Sequence, residues 1–269
     1  MSKPVNLDAY FERIGWGGAT SPNFETLAGL LRAHMSRIPF ENLDVLLGRP
    51  IRLDLEALQQ KLVAARRGGY CFEQTMLFAA ALEQLGFVLT RHTARVVAFV
   101  PRHMSPRTHM FLTVLLPEGT FIADPGLGGL APRVAVPLVD GKRVQVGQEV
   151  HWMARDAGQW VLRTQAGDKV VDCWVSSLEV DNLIDFELGN HYTATHPMSP
   201  FVNRLMMRAL TPSGRVNVMN RDLTIWSDGQ SHSSQLADRA ALRGLLAECF
   251  GFDLPEVERM RVPSAPEWA

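Results

Sequence analysis

The sequence predicts an α+β chain of more than one domain, with a helical first third, a run of short strands forming a sandwich or barrel, and a mixed tail. Two observations carry this. Apolar residues recur at helical spacing up to Gly86, and from Phe87 the pattern changes to β-branched and aromatic residues interrupted by turn signals. Short strands clustered after a helical block suggest a second domain built as a sandwich or barrel.

Taken in order, Ser21-Pro22 read as the cap and first residue of a helix carrying Leu27, Leu30, Leu31 and His34. Asp54 is the expected N-cap of a second helix, whose stripe of Leu55, Leu58, Leu62 and Val63 stops at Gly68. A third opens at Cys71 and carries Phe78, Ala81, Leu82 and Leu85 to Gly86. Strands are expected over 88–100, 109–116 and 120–124, the last two joined by the turn Pro117-Glu118-Gly119. Further strands are expected over 134–139, 144–150, 160–164 and 170–175. In the tail, helical segments over 201–210 and 234–250 flank strands over 215–219 and 222–227. Boundaries near 86 and 190 divide the chain into 1–86, 87–190 and 191–269.

Composition narrows the function classes. A chain of 269 residues with 46% hydrophobic and 20% charged residues can bury a large core. A formal charge of −1 gives no reason to expect nucleic acid or an anionic membrane surface as partner. Cys71, Cys173 and Cys249 are too widely spaced for a disulfide framework or a zinc pattern, so no metal is expected and a reducing cytoplasm is the simplest location. No apolar run approaches the roughly 18 residues of a membrane span, and Met1-Ser2-Lys3-Pro4 does not read as a signal peptide. Nothing in the pattern speaks to oligomeric state.

Chemistry concentrates at Cys71, in Arg66-Arg67-Gly68-Gly69-Tyr70-Cys71-Phe72-Glu73-Gln74. The first turn of a helix offers unsatisfied N–H groups and the positive end of the macrodipole, which favour a thiolate. Such positions lower a cysteine pKa from about 8.5 toward roughly 3.5–7.5. The competing account is a small buried hydrophobe, the usual fate of a free cysteine. A thiolate nucleophile needs a base, and the base needs a third group to fix its tautomer. Of eight histidines, His109 begins an apolar strand that turns and returns to Asp124. With Glu118-Gly119 as the loop, position 109 opposes 128 and 124 opposes 113. Both side chains then share a face but stand four residues apart, so a bulge or longer turn must close the gap. Otherwise His109 is a strand-edge histidine without a role and Asp124 a turn-capping carboxylate.

The segment Arg67-Gly68-Gly69-Tyr70-Cys71-Phe72-Glu73-Gln74 resembles the signature of the arylamine N-acetyltransferases. The resemblance extends to Ile38-Pro39-Phe40-Glu41-Asn42-Leu43-Asp44-Val45, to Arg107-Thr108-His109, and to the run from Phe121 through Asp124-Pro125-Gly126-Leu127-Gly128-Gly129. Arg13-Ile14-Gly15, Asn190-His191-Tyr192 and Ser199-Pro200-Phe201 widen it to nearly the whole chain.

This resemblance implies an N-terminal helical bundle, a central β-barrel and a C-terminal α/β lid. It also implies a cysteine-protease-like triad of Cys71, His109 and Asp124. The implied reaction is ping-pong acetyl transfer from acetyl-CoA, as co-substrate, to an arylamine, arylhydrazine or N-hydroxyarylamine, within xenobiotic metabolism. Implied substrate or CoA contacts are Phe40, Tyr70, Thr108, Gly126, Leu127 and Gly128, with core packing the competing account for Phe40 and Tyr70. Glu41 and Arg67 resemble a bracing pair, which a solvated ion pair would also explain. Three departures from the family pattern are Thr75 for asparagine, Pro125 for valine and Leu127 for phenylalanine; the last removes an aromatic face from the acceptor side. Competing readings are an amide synthase of the same superfamily acting on a carrier-bound polyketide, a Cys–His–Asp peptidase or transglutaminase-like hydrolase, and a binding module that retains the fold.

Overall fold

The computed structural model describes residues 4–211 and 214–268. Helices α1 (Leu7–Ile14) and α2 (Phe24–Arg37) come first. Strand β1 (Phe40–Glu41), α3 (Leu43–Leu46), α4 (Leu55–Leu58) and α5 (Cys71–Gln84) follow, with a π-helical turn over Gln59–Ala64. Then come β2 (Val88–Val96), β3 (Arg107–Leu116), β4 (Gly119–Ala123), β5 (Val136–Pro137), β6 (Val144–Val146), β7 (Glu149–Asp156), β8 (Gln159–Ala166) and β9 (Lys169–Ser176). Helices α6 (Leu183–Thr195) and α7 (Pro200–Asn203) lead to β10 (Met206–Thr211), β11 (Gly214–Met219), β12 (Asp222–Ser227), β13 (Gln230–Gln235) and α8 (Arg239–Leu245). The molecule is an α+β multidomain fold. Among the described residues no helix is long and apolar enough to cross a membrane.

Eight antiparallel strands form one sheet in the order β5-β4-β3-β2-β9-β8-β7-β6. It curls almost into a barrel, since Asp140, just past β5, bridges to Met153 on β7. The second sheet runs β1-β10-β11-β12-β13, so the two residues of β1 tie the helical region to the tail.

Strand β3 belongs to two cores. Met110, Leu112 and Val114 pack with Leu31, Phe72, Leu77, Phe78 and Leu82 of the helices, while Phe111 packs with Ala94, Ile122, Met153, Leu162 and Trp174 inside the barrel. Burial on both faces explains why its sequence is a continuous apolar run rather than an alternation.

Several expected elements take other forms. Helix α2 starts later than Ser21-Pro22 because the Asn23 carboxamide, not Ser21, accepts the Thr26 N–H at 2.9 Å. The expected helix over 201–210 shrinks to α7, and Met206–Thr211 is a strand. Its backbone is claimed on one side by β1 and on the other by β11, and Met207 and Ala209 alternate into the core. The expected helix over 234–250 begins at Arg239, capped by Asp238. Residues before it form β13, paired to β12 across Asp228-Gly229, whose φ values of 52° and 80° suit a type I′ hairpin. The expected strand over 144–150 is split between β6 and β7, where Gly147 turns the chain at φ 60°. Position 190, the expected second boundary, lies inside α6, which Asn182 begins and Phe186, Gly189, Asn190 and Thr193 pack down.

Candidate active site

Cys71 is the first residue of α5, and only 3% of its surface is exposed. Tyr70, the N-cap, is extended, and its N–H is taken by the Glu73 carboxylate at 3.1 Å. Glu73 and the approach to the helix are fixed by buried charge. Lys61 Nζ lies 2.8 Å from Asp44 and 2.7 Å from Glu73. Arg67 donates twice to Glu41 Oε1, at 3.0 and 2.7 Å, and once to Asp44 Oδ1 at 3.0 Å. Glu41 is wholly buried, so its pairing with Arg67 is not a solvated surface contact. Burial raises the Asp44 pKa, but Lys61 and Arg67 more than reverse this and bring it down to about 2. Arg13 ties α1 to the same segment by donating to the carbonyls of Leu62 and Arg66 at 2.8 and 3.0 Å.

His109 reaches Cys71 through the register of the barrel strands. In β3–β4, Leu116 pairs with Gly119, which makes Pro117-Glu118 the loop rather than Glu118-Gly119. Continuing that register puts Asp124 opposite 111, not 113, and halves the expected separation from His109. A diagonal neighbour on one face is within reach of long side chains, and His109 Nε2 lies 2.8 Å from Asp124 Oδ2. A bulge is also present, but on the other side of β3. Ala94 of β2 pairs with His109 and Arg95 with Arg107, leaving Thr108 as the extra residue. Its carbonyl is thereby turned toward α5 and accepts the Cys71 thiol at 3.6 Å.

Asp124 is wholly buried and accepts three hydrogen bonds: His109 Nε2 and Trp174 Nε1 (2.9 Å) at Oδ2, and the Gly126 N–H (3.2 Å) at Oδ1. With Nε2 given to Asp124, Nδ1 is the nitrogen left to the thiol. Burial by itself would lower the His109 pKa. The Asp124 charge, its hydrogen bond and the facing Cys71 outweigh that and push it up to about 10. The imidazole is therefore a cation at neutral pH. Thiol, imidazole and carboxylate thus form one buried chain at a helix N-terminus, able to hold a thiolate–imidazolium pair.

Gly126 closes against this chain. A Cβ there would lie 2.5 Å from Cys71 Cα, so no larger residue fits without displacement. Gly128, at φ 60°, carries the Phe40 ring 3.4 Å from where its Cβ would be. Phe40 and Gly128 both line a small cavity beside the loop, with Gln74, Pro125 and Arg208. The other expected contacts sit differently. Tyr70 is wholly buried, its ring against Phe72 and Phe201 and its hydroxyl on Asn190. Leu127 is half-buried and packs against the barrel core. Thr75 hydrogen-bonds the Met110 carbonyl at 3.1 Å and ties α5 to β3. Two residues here were not singled out by the sequence: Trp174, fifty positions from Asp124 in a strand with no local mark of function, and Arg208, which donates to the Gly128 carbonyl at 2.8 Å. Among the described residues no group of three His, Cys, Asp or Glu side chains is placed to hold a metal.

Comparison with known proteins identifies the family. A family model described as N-acetyltransferase matches residues 23–259. The chain is 36% identical over 258 residues to an arylamine N-acetyltransferase of Mycobacterium tuberculosis, covering 94% of this chain and 91% of that protein. It is 36% identical over 254 residues to that of Escherichia coli, covering 94% and 90%. The solved structure of the Mycobacterium marinum arylamine N-acetyltransferase in complex with CoA superposes with a TM-score of 0.88 at 34% identity, over 94% of each chain. Motifs, fold and whole-length similarity converge, and the chain belongs to the arylamine N-acetyltransferase family of acyltransferases.

Proposed function

We propose that the protein transfers an acetyl group from acetyl-CoA to the nitrogen of an arylamine, arylhydrazine or N-hydroxyarylamine, in two steps through acetyl-Cys71. The observation that carries this reading is the buried contact of His109 Nε2 with Asp124 Oδ2 at 2.8 Å, beside a cysteine at the start of α5. The solved complex of the Mycobacterium marinum relative with CoA supports the donor.

In the first step Cys71 thiolate attacks the thioester carbonyl, and the carbon–sulfur bond to CoA breaks as the acetyl–Cys71 bond forms. His109 delivers the proton it holds to the departing CoA thiolate. In the second step the amine nitrogen attacks acetyl-Cys71, His109 takes a proton from it, and Cys71 leaves as thiolate. Asp124 keeps its charge throughout, orienting the ring and stabilising the imidazolium. N–H groups of the first turn of α5 are the donors nearest the developing oxyanion, worth roughly 2.7–4 kcal/mol each in other enzymes. In this reading residues 1–86 supply the nucleophile, 87–190 the base and the acid, and 191–269 the lid, in a cytoplasmic enzyme without a metal.

Intact-mass measurement after mixing with acetyl-CoA, followed by an arylamine chase, tests the proposal. An acetyl adduct should appear on the wild-type protein, vanish on adding amine, and be missing from folded Cys71→Ala. An adduct on Cys173 or Cys249, or none with acetyl-CoA, would overturn it. The second outcome would favour an amide synthase using a carrier-bound acyl group.

A further inference from the structure

Trp174, on β9, is the largest wholly buried side chain among the described residues, and the two-step reaction gives it no part. Local backbone geometry decides where it points. Across β8–β9 Leu162 pairs with Trp174 but Arg163 pairs with Asp172, so Cys173 is an extra residue in β9. In a regular strand Cys173 and Trp174 would face opposite sides of the sheet. Here both lie wholly buried in the barrel core. A bulge re-aims a side chain in this way, and such bulges gather beside active sites. The indole then stacks on Phe111, at 4.2 Å between ring centroids and 25° between planes, and Phe111 in turn stacks on His92 at 5.3 Å and 29°.

Core packing accounts for the ring and asks only that the buried indole N–H find some acceptor. Its acceptor is Asp124 Oδ2, 2.9 Å away, the same oxygen that His109 Nε2 meets at 2.8 Å. Strands β3 and β2 separate β4, which leads into Asp124, from β9, so this contact crosses the barrel interior. A carboxylate oxygen offers about two lone-pair positions, and these two donors fill both. The Gly126 N–H takes Oδ1 at 3.2 Å. The terminal torsion of an aspartate is soft and roughly two-fold, so the backbone alone does not set the plane of the carboxylate. With Trp174 and Gly126 bound at opposite oxygens, the group cannot swivel beneath the imidazole without leaving a buried donor unmet, which is costly.

We propose that Trp174 is a positioning residue: its indole N–H, aimed by the bulge at Cys173, fixes the plane of the Asp124 carboxylate and through it the orientation of the His109 ring toward Cys71. The proposal rests on the reading of Cys71, His109 and Asp124 as the reacting groups. It has a consequence that packing alone does not share. Burial lowers the His109 pKa, while the Asp124 charge and hydrogen bond, with the facing Cys71, raise it to about 10; these two are the titratable groups that bear on the ring. A carboxylate free to turn couples to the ring more weakly, and the imidazolium then gives up its proton at lower pH.

The test compares the full chain as wild type, Trp174→Phe and Leu162→Ala. Phenylalanine keeps a ring against Phe111 and removes the N–H. Alanine at 162, opposite Trp174 in the ladder, opens a cavity in the same core and leaves the N–H in place. In Trp174→Phe the maximal rate of stopped-flow acylation by 4-nitrophenyl acetate should fall about tenfold, with the half-saturating concentration little changed. The upper inflection in the pH profile of iodoacetamide labelling of Cys71, near pH 10 in the wild type, should move down by about one unit. Leu162→Ala should melt earlier yet keep the wild-type rate and inflection. An unmoved inflection in folded Trp174→Phe, or an equal loss of rate in Leu162→Ala, would overturn the proposal. Should Trp174→Phe not fold, NMR of the wild type decides. The Trp174 indole N–H, identified by its Overhauser contact with Phe111, should shift in step with loss of the His109 proton, and a signal indifferent to that titration would also overturn the proposal. A wild type with the labelling inflection but without acyl transfer would remove the functional reading and leave the positioning role standing.

Discussion

Replacing Asp124 by asparagine probes what the carboxylate supplies beyond its shape. Donors converge on both oxygens, His109 and Trp174 on one and the Gly126 N–H on the other. An amide has one acceptor end. Turned to satisfy His109 and Trp174, its NH2 group confronts the Gly126 N–H, and a buried donor left without an acceptor costs about 1–3 kcal/mol. At roughly 2–4 °C per kcal/mol for a chain of this size, the melting temperature should fall by about 2–12 °C. This orientation keeps the proton on Nε2, so the tautomer survives and the charge is what is lost. Without it His109 falls from about 10 to its ordinary 6.5 or below, since burial then acts unopposed. That fall, three to four orders of magnitude in proton affinity, is the ceiling on the effect. The expected loss in acylation rate is about 10²–10³-fold at pH 7. Stopped-flow release of 4-nitrophenol from 4-nitrophenyl acetate measures it, with circular dichroism as the check on folding. A folded Asp124→Asn protein acylating within a factor of three of the wild type would refute the reasoning.

Removal of the imidazole by His109→Ala should slow iodoacetamide labelling of Cys71 at pH 7 by at least tenfold, and an unchanged rate would assign activation to the helix start alone. Because the folded His109 pKa is raised to about 10, its stabilisation is fully present below the unfolded value near 6.5 and is lost as pH rises through 10. The gap in melting temperature between wild type and His109→Gln should therefore narrow from pH 6.5 to pH 10; a gap that widens would reverse the assignment. Gly126→Ala forces a methyl to within 2.5 Å of Cys71 Cα unless the backbone moves. Acylation should fall at least a hundredfold while far-UV circular dichroism is retained, and wild-type kinetics would show that the loop yields freely.

What the sequence reveals and withholds at this site has a common cause. Cys71 and the start of α5 are legible because helical period and the glycine stop are local signals. His109 and Asp124 were legible as a face-sharing pair on one hairpin, but the loop was read one residue late, and a one-residue shift of a turn moves the register by two. Trp174 and Arg208 come from distant strands, and nothing near them in the chain marks the residues they meet. β10 reads locally as a helix because its pairing with β1 and β11 is decided by segments far away in sequence. The β12–β13 hairpin does carry a local sign, Asp228-Gly229, but the polar stretch after it has no apolar alternation to mark a strand, and the expected helix from 234 overlaps its last two residues.

Strand β3, shared between the helical core and the barrel core, has a consequence for when the cysteine is reactive at all. The thiol is anchored in one core and the imidazole emerges from the strand that serves both. Opening either core frees β3 and parts sulfur from nitrogen. On the proposed mechanism, a nascent or partly melted chain would not yet hold the thiol beside the imidazole, and chemical competence would arrive only with the last cooperative step of assembly. In hydrogen exchange, the amides of Met110, Leu112 and Val114 should accordingly open only with global unfolding, on the same free-energy scale as loss of labelling selectivity at Cys71.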